Sequence, residues 1–145
     1  MKKINVVFDS DVIISALISK NGAGFYLLNQ TRTKDCKYII NTSDQQKQEL
    51  SEVNSDLKTT YKLNLDFYEK VNSIFKLNKF NKINKKFLEY VKDLEDAHLV
   101  QTSYMSKSMF LVTYNLKHYF IDKIAKDLSI KVVKPSHFIT YLRSL

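Results

Sequence analysis

The sequence predicts an α/β domain with a mainly parallel sheet and helices on both faces. Short apolar runs alternate with segments of helical periodicity, which is typical of this class. The first run, at 4–9, is apolar without polar alternation, as central parallel strands are. Only two glycines and one proline occur in 145 residues, and no linker or repeat divides them. We therefore expect a single domain over residues 1–145.

The N-terminal half alternates predicted strands and helices. These are strands at 4–9 and 37–42, and helices at 11–19, 23–32 and about 44–60. Ser43 begins the last helix, because Gln46 follows it at the spacing of a capping box. The apolar stripe of this helix comprises Leu50, Val53, Leu57 and Tyr61.

The C-terminal half continues the alternation. The predicted elements are helices at 65–78, 94 to about 106, 117–128 and from Ser136 onward, and strands at 109–113 and 130–133. Residues 79–92 fit either a short strand or a helix. Asp93 is expected to cap the helix from 94. The helix over 117–128 is expected to bury Tyr119, Phe120, Ile124 and Leu128.

Charge and cysteine content restrict the function. A formal charge of +8, from 23 basic and 15 acidic residues, favours a polyanion, an acidic protein or an anionic membrane as partner. The basic residues are almost all lysine, so composition bias is an alternative explanation. The lone Cys36 excludes an intrachain disulfide and a cysteine-cluster metal site. Two aspartates interrupt the apolar N-terminus, which argues against a signal peptide. We expect a soluble cytoplasmic protein without a membrane partner.

Acidic side chains lie where the predicted strands and helices meet. Asp9 ends a buried strand, at the edge of a parallel sheet where ligands bind. Asp11 either shares a strand face with Asp9 or enters the first turn of a helix, where the dipole favours an acid. Glu49 lies in the second turn of its helix, and Asp96 should sit near the core edge. Thr113 and Asn115 follow another buried strand.

These acids would repel one another at one edge of the sheet. Two carboxylates about 5 Å apart cost roughly 3 kcal/mol at an effective dielectric constant near 20. Protonation, a lysine or a cation must offset that cost. Oxygen ligands without cysteine favour Mg²⁺ or Mn²⁺ over zinc. A divalent ion held by few carboxylates keeps positions for water and phosphate oxygens, which suits phosphodiester hydrolysis.

Four segments in this order resemble the PIN-domain family, and within it VapC-like ribonuclease toxins of type II toxin–antitoxin systems. "VVFDSDVIISALI" is similar to the opening of the family and puts Asp9 at its first acidic position. "SDQQKQELSEV" resembles the second segment, with Glu49 as its acid. "VKDLEDAHLVQTS" resembles the third, with Asp96 as ligand and Asp93 before it. "MFLVTYNLKHYF" resembles the fourth, with Thr113 and Asn115 at the functional positions.

The resemblance implies a three-layer α/β/α sandwich that cleaves RNA endonucleolytically, leaving a 5′-phosphate and a 3′-hydroxyl. It implies Mg²⁺ or Mn²⁺ held by Asp9, Glu49 and Asp96, with Asn115 completing the catalytic set. The supporting residues it implies are Asp11, Asp93, Thr113 and His118. It also implies a small antitoxin as partner and a homodimer.

The chain departs from the family pattern at three positions. Asn115 stands where aspartate is frequent, and His118 stands where another acid is sometimes found. Asp11 stands where asparagine is commoner, and its charge could replace the missing one. His118 by itself is expected to be a packed or surface histidine. The sequence is therefore compatible with one or two metals, and a non-catalytic PIN-like RNA- or protein-binding module is an alternative.

The segment 75–90 interleaves lysines with aromatics. It suggests Lys82, Lys85 and Lys86 as RNA contacts, by phosphate attraction beside stacked bases. The alternative is an amphipathic element with its aromatics in the core and its lysines in solvent. An antitoxin tail could use the same surface.

A haloacid-dehalogenase-like phosphatase is the alternative enzyme, because "VVFDSDV" also matches a strand followed by Asp-x-Asp. Asp9 would then be the nucleophile, Asp11 the acid/base and Thr113 a phosphate contact. That family continues with Gly-Thr or Gly-Val, whereas Val12 and Ile13 follow here.

Overall fold

Five strands form one parallel sheet in the computed structural model, which describes residues 2–61, 69, 73 and 75–145. The strands are β1 (Ile4–Phe8), β2 (Tyr38–Ser43), β3 (Lys76–Asn78), β4 (Phe110–Val112) and β5 (Lys131–Val133). Their order across the sheet is β3-β2-β1-β4-β5, and each neighbouring pair is parallel. Because all five run the same way, their carboxyl ends share one edge.

Helices connect the strands and cover both faces. The α-helices are α1 (Ser10–Ile18), α2 (Ala23–Gln30), α3 (Asp44–Tyr61), α4 (Ala97–Met105), α5 (Ile121–Leu128) and α6 (Pro135–Arg143). Within the described ranges, short 3₁₀ helices lie at Lys85–Tyr90, Leu94–Asp96 and Leu116–His118.

The core has two halves, one on each face of the sheet. Val6 and Phe8 of β1 pack with Phe138 of α6, together with α1 and α2. Val7 points the opposite way, as strand alternation requires, and packs with Ile124 of α5 and with α4. These three β1 side chains are fully buried, so the apolar run without alternation reflects a strand covered on both faces. The predicted α/β fold, including the three-layer α/β/α arrangement, is confirmed.

The predicted start of the helix after β2 is confirmed in part. Ser43 Oγ accepts a hydrogen bond from the Gln46 backbone N–H at 3.2 Å, and α3 begins at Asp44. The Gln46 side chain does not complete a capping box. It is buried and faces the sheet instead. Leu50 of the predicted stripe is buried, whereas the side chains of Leu57 and Tyr61 lie outside the described residues.

Two predictions for the C-terminal half are wrong. The helix predicted over 65–78 lies largely outside the described residues, but its last three residues form the edge strand β3. Phe120, predicted to be buried, is 44% exposed, whereas Tyr119 and Ile124 are buried as predicted. The reason is that α5 begins only at Ile121, and a 3₁₀ helix and an extended stretch precede it. The ambiguous segment 79–92 contains the 3₁₀ helix Lys85–Tyr90.

Within the described part of the chain, no helix is both long enough and apolar enough to span a membrane.

Candidate functional site

Asp9 occupies the carboxyl end of β1 at the centre of the sheet. Phe8 pairs with Val112 of β4, so Asp9 and Thr113 leave the sheet side by side. Asp9 is the N-cap residue of α1, yet its carboxylate makes no capping hydrogen bond. Its Oδ2 instead accepts hydrogen bonds from Thr113 Oγ1 at 2.9 Å and from the Tyr119 hydroxyl at 2.8 Å. A carboxylate that is 7% exposed is thus directed across the sheet edge and away from its own helix.

Asp11 lies in the first turn of α1, which decides between its two predicted placements. The Tyr114 backbone N–H donates to Asp11 Oδ2 at 3.2 Å, and Thr113 Oγ1 lies 3.3 Å from the same oxygen. Thr113 therefore bridges the carboxylates of Asp9 and Asp11. Burial and the neighbouring charge of Asp9 raise the pKa of Asp11 to about 6, although the hydrogen bonds lower it.

Asp96 lies where the 3₁₀ helix Leu94–Asp96 continues into α4, so its backbone is helical, and its carboxylate makes no capping hydrogen bond. Asp96 Oδ2 lies 3.1 Å from His118 Nδ1. Burial, and then the charge of Asp9, raise the pKa of Asp96 to about 6, and His118 opposes that rise. The charge of Asp9 thus acts on both Asp11 and Asp96, which belong to different segments of the chain.

Asp93 both caps a helix and belongs to a cluster of possible metal ligands. As predicted, it is an N-cap: its side chain accepts a hydrogen bond from the Glu95 backbone N–H at 3.1 Å, at the 3₁₀ helix that leads into α4. It also joins Asp96 and His118 in a group whose possible ligand atoms all lie within 4.8 Å of one another. Among the residues that the structure describes, no other three histidine, cysteine, aspartate or glutamate side chains bring their possible ligand atoms this close together.

Glu49 lies outside that group and pairs with a histidine that the sequence did not indicate. His98 Nε2 lies 3.2 Å from Glu49 Oε1. The His98 side chain is 2% exposed, and the Glu49 side chain is 39% exposed. His98 follows Asp96 by two residues in α4, so Glu49 of α3 is held beside the start of α4. His98 Nδ1 is buried and has no hydrogen-bond partner among the described residues.

Asn115 and the predicted RNA-binding lysines are exposed. Asn115 precedes the 3₁₀ helix Leu116–His118, where its backbone N–H donates to Thr113 Oγ1 at 3.0 Å and its side chain makes no capping hydrogen bond. Lys82, Lys85 and Lys86 are in solvent. Of the aromatics between and beside these lysines, Phe75, Phe87 and Tyr90 are buried in the core, so these three cannot stack on bases.

Besides His98, two residues that orient the site were not predicted from the sequence. Tyr119 was expected only in the core, but its hydroxyl reaches Asp9. Burial, and the charges of Asp9 and Asp96, raise its pKa well above the usual value, so it remains a donor. Gln46 is 1% exposed. Its Nε2 donates to the Phe8 carbonyl at 2.6 Å and its Oε1 accepts from Thr42 Oγ1 at 2.6 Å, which joins the ends of β1 and β2. The signal in the sequence for Gln46 was its position close to the end of a strand.

The donor set suits a hard divalent cation. Burial and the repulsion between carboxylates of two chain segments raise the pKa values of Asp11 and Asp96. Among the described residues, no lysine or arginine forms an ion pair with Asp9, Asp11 or Asp96. Carboxylate oxygens are ligands that both Mg²⁺ and Mn²⁺ accept. The free thiol, Cys36, is buried at the opposite edge of the sheet, before β2.

Comparison with known proteins agrees with this geometry. No match to a curated protein was found. A family model described as the PIN domain matches residues 5–117, well over half of the chain. The matched range includes Asp9, Glu49, Asp96 and Asn115 and stops immediately before His118. The chain therefore belongs to the PIN-domain family.

Proposed function

We propose that this chain is an endoribonuclease that hydrolyses RNA phosphodiester bonds with a divalent metal ion. PIN domains are generally metal-dependent nucleases that act on RNA. One observation carries the proposal for this chain. Asp9 is the N-cap residue of α1, but its carboxylate makes no capping hydrogen bond and instead lies where its charge acts on Asp11 and Asp96. An N-cap aspartate ordinarily stabilises its helix by about 1 kcal/mol, so a carboxylate that leaves its helix uncapped and lies among other acids indicates another role.

Each residue of the site has a distinct part in this proposal. Asp9, Glu49 and Asp96 would hold the metal ion, and the Thr113 and Tyr119 hydroxyls fix the Asp9 carboxylate. A divalent ion bound there would supply water activated at neutral pH and compensate the charge that develops on the phosphate.

Three further contributions complete the assignment. Asn115, exposed at the rim, supplies a neutral amide to the water or to the phosphate. Asp93 and His118 support Asp96 from the same group. Asp11 adds the negative charge that Asn115 lacks.

The imidazole of His118 bears on the choice of metal. Mg²⁺ is held by oxygen ligands, whereas Mn²⁺ accepts imidazole nitrogen as well as carboxylate. His118 Nδ1 lies against Asp96 Oδ2, so an ion beside Asp96 has an imidazole within reach. We therefore assign Mn²⁺ as the preferred ion and Mg²⁺ as the weaker one.

We also propose that the chain is a VapC-like toxin that pairs with a small antitoxin and forms a homodimer. The charge of +8 and the exposed lysines Lys82, Lys85 and Lys86 suit an acidic antitoxin tail as well as RNA. Residues 1–145 form one domain in this proposal, because β5 and α6, beyond the matched residues, complete the sheet and the core. An adjoining reading frame that encodes a small DNA-binding protein with an acidic tail would support the pairing.

The other interpretations have less support. The PIN-domain match argues against a haloacid-dehalogenase-like phosphatase with Asp9 as nucleophile. A non-catalytic PIN-like binding module would need no convergence of carboxylates.

The decisive experiment is RNA cleavage with Mn²⁺, Mg²⁺ or EDTA, with end-group analysis of the products. We expect cleavage with either ion, none in EDTA, and products with 5′-phosphate and 3′-hydroxyl ends. Asp9→Asn and Asp96→Asn should abolish cleavage. Asp35→Asn is the matched control, because Asp35 is exposed at the opposite edge of the sheet. Persistence of cleavage in Asp96→Asn, or RNA binding without cleavage, would refute the nuclease assignment.

A further inference from the structure

An exposed aromatic residue, Phe120, directly follows two residues that contact the acidic site, His118 and Tyr119. Phe120 is 44% exposed, although the residues on either side of it, Tyr119 and Ile121, contribute to the core. The Nζ of Lys92, also exposed, lies 5.5 Å from the centroid of the Phe120 ring. The Phe120 ring is therefore accessible to a ligand, and a cation lies beside it.

The backbone fixes this pair firmly. Val91 and Tyr119 form an antiparallel bridge, flanked by hydrogen bonds from Lys92 N–H to the His118 carbonyl at 2.8 Å and from Phe120 N–H to the Tyr90 carbonyl at 3.0 Å. Side chains alternate across such a bridge. Val91 and Tyr119 are buried, whereas Lys92 and Phe120 extend into solvent. The two exposed side chains are therefore preorganised as a unit.

The same few residues hold the acidic site. The Tyr119 hydroxyl reaches Asp9 Oδ2, and His118 Nδ1 reaches Asp96 Oδ2. Phe120 is thus one residue from a side chain that touches Asp9 and two residues from one that touches Asp96. Two residues of extended chain span about 7 Å, so a nucleic-acid strand with its phosphate at Asp96 and His118 has the Phe120 ring within reach of a neighbouring nucleotide.

We propose that Phe120 and Lys92 form a stacking platform for single-stranded RNA. The ring of Phe120 stacks on a base next to the scissile phosphate, and Lys92 contacts the adjoining phosphate. This inference rests on the proposed function for its substrate class. Lysine beside an exposed aromatic is the combination that binds single strands without sequence preference. An apolar protein segment fits less well, because the ring is bordered by Lys92 and followed along the chain by Lys123, which is also exposed.

The chain contains no tryptophan, which permits a direct test. Phe120→Trp introduces a single indole whose fluorescence is quenched when a base stacks on it. The variant is titrated with a short single-stranded RNA in EDTA, so that no cleavage is needed. Tyr26→Trp is the control, because Tyr26 is 42% exposed and borders a cavity with Asp35 and Arg143 at the opposite edge of the sheet.

We expect quenching of the Phe120→Trp fluorescence by RNA and little change when an abasic strand of equal length replaces it. The Tyr26→Trp fluorescence should not change with either strand. Equal quenching of the two variants, or no quenching of Phe120→Trp by RNA that binds, would overturn the platform.

Binding of labelled RNA by anisotropy gives a second measurement that does not depend on the tryptophan variants. Phe120→Leu, which keeps an apolar side chain, should raise the dissociation constant roughly ten-fold, while Phe120→Tyr should preserve it. Unchanged RNA affinity in Phe120→Leu, with loss of binding to a protein partner, would assign the surface to protein instead. Fluorescence quenching by RNA without any RNA cleavage would support the stacking platform and refute the nuclease function. RNA cleavage without quenching would support the nuclease function and refute the platform.

Discussion

His98 Nε2 lies 3.2 Å from Glu49 Oε1, which places a buried imidazole on α4 against a partly exposed carboxylate on α3. The buried His98 imidazole therefore holds the more accessible Glu49 carboxylate in one orientation. A buried imidazole whose Nδ1 has no hydrogen-bond partner among the described residues is costly to place in a core, so its contact with Glu49 points to a role for His98.

This pair predicts that His98 acts through Glu49. Substitution of a residue that orients a metal ligand commonly lowers metal affinity or activity roughly 10- to 100-fold. We expect His98→Ala to weaken Mn²⁺ binding by about this factor, and His98→Gln, which keeps an N–H donor, to recover part of it. Calorimetric titration with Mn²⁺ measures the effect. In a Glu49→Gln background, His98→Ala should have little further effect; a full additional loss would mean that His98 acts elsewhere.

The pKa values of Asp11 and Asp96 predict how stability depends on pH without metal. Each is raised from 3.8 to about 6 in the folded chain, so the folded state binds more protons than the unfolded state between these values. The free energy of unfolding therefore falls as pH rises from about 4 to 6. Because both carboxylates are partly open to solvent, which screens their charges, we expect a loss of roughly 1–2 kcal/mol for each. Urea denaturation in EDTA measures this slope.

The matched variant for the pH dependence is Asp96→Asn, which removes one of the two titrating groups. It should reduce the slope and be more stable than the natural chain at about pH 7.5 in EDTA, but not at about pH 4. Equal destabilisation at both pH values would contradict the assigned cause. Addition of Mn²⁺ should stabilise the natural chain at the higher pH and have a much smaller effect on Asp96→Asn.

Two tyrosines offer a matched comparison of hydroxyl roles. The Tyr119 hydroxyl donates to Asp9 in the site. The Tyr90 hydroxyl, outside the site, donates to Asp127 Oδ2 at 3.1 Å. Each Phe variant should lose about 1–2 kcal/mol of stability, because each removes a hydrogen bond to a carboxylate. Only Tyr119→Phe should also lower RNA cleavage, roughly ten-fold or more, since it releases Asp9. Equal cleavage by the two variants would show that Tyr119 is merely structural.

His118 predicts the order of metal preference. His118→Asp replaces the imidazole by a hard carboxylate, so we expect Mg²⁺ to bind roughly ten-fold more tightly and the preference for Mn²⁺ to narrow. Cleavage rates over a titration of each ion measure this. The exposed His137 on α6 is the control position, and His137→Asp should leave the ratio of the two ions unchanged. If the ratio of the two ions did not change in His118→Asp, His118 would not be a metal ligand.

Substitution of Gln46 is expected to lower the free energy of unfolding strongly. Gln46→Leu leaves the buried Phe8 carbonyl and the Thr42 hydroxyl without their partner, so we expect a loss of about 2–4 kcal/mol. Gln48→Leu, on the exposed side of the same helix, should change stability by less than about 0.5 kcal/mol. Thermal and urea denaturation measure both. Similar small effects would mean that α3 does not depend on this contact with the sheet edge.

The sequence alone determined the α/β alternation and the position of several candidate site residues along the chain. An apolar run without alternation, such as the one ending at Phe8, is typical of a strand buried on both faces, and parallel strands of this kind bring their carboxyl ends to one edge. Asp9, Asp96 and Thr113 were recognisable because they lie at strand ends or helix starts on that edge. The register of β1 with β4 then brings Asp9 and Thr113 together, as parallel pairing requires.

Only the tertiary structure decided which distant side chains meet. Periodicity indicates which face of an element is buried, but it does not identify the element packed opposite, so the pairing of His98 with Glu49 had no signal along the chain. The three residues of β3 are too few to show a period. At Tyr119 and Phe120, a bridge replaces the expected helix, so one ring turns toward Asp9 and the next turns to solvent. Local pattern fixed the elements, and long-range packing fixed the site.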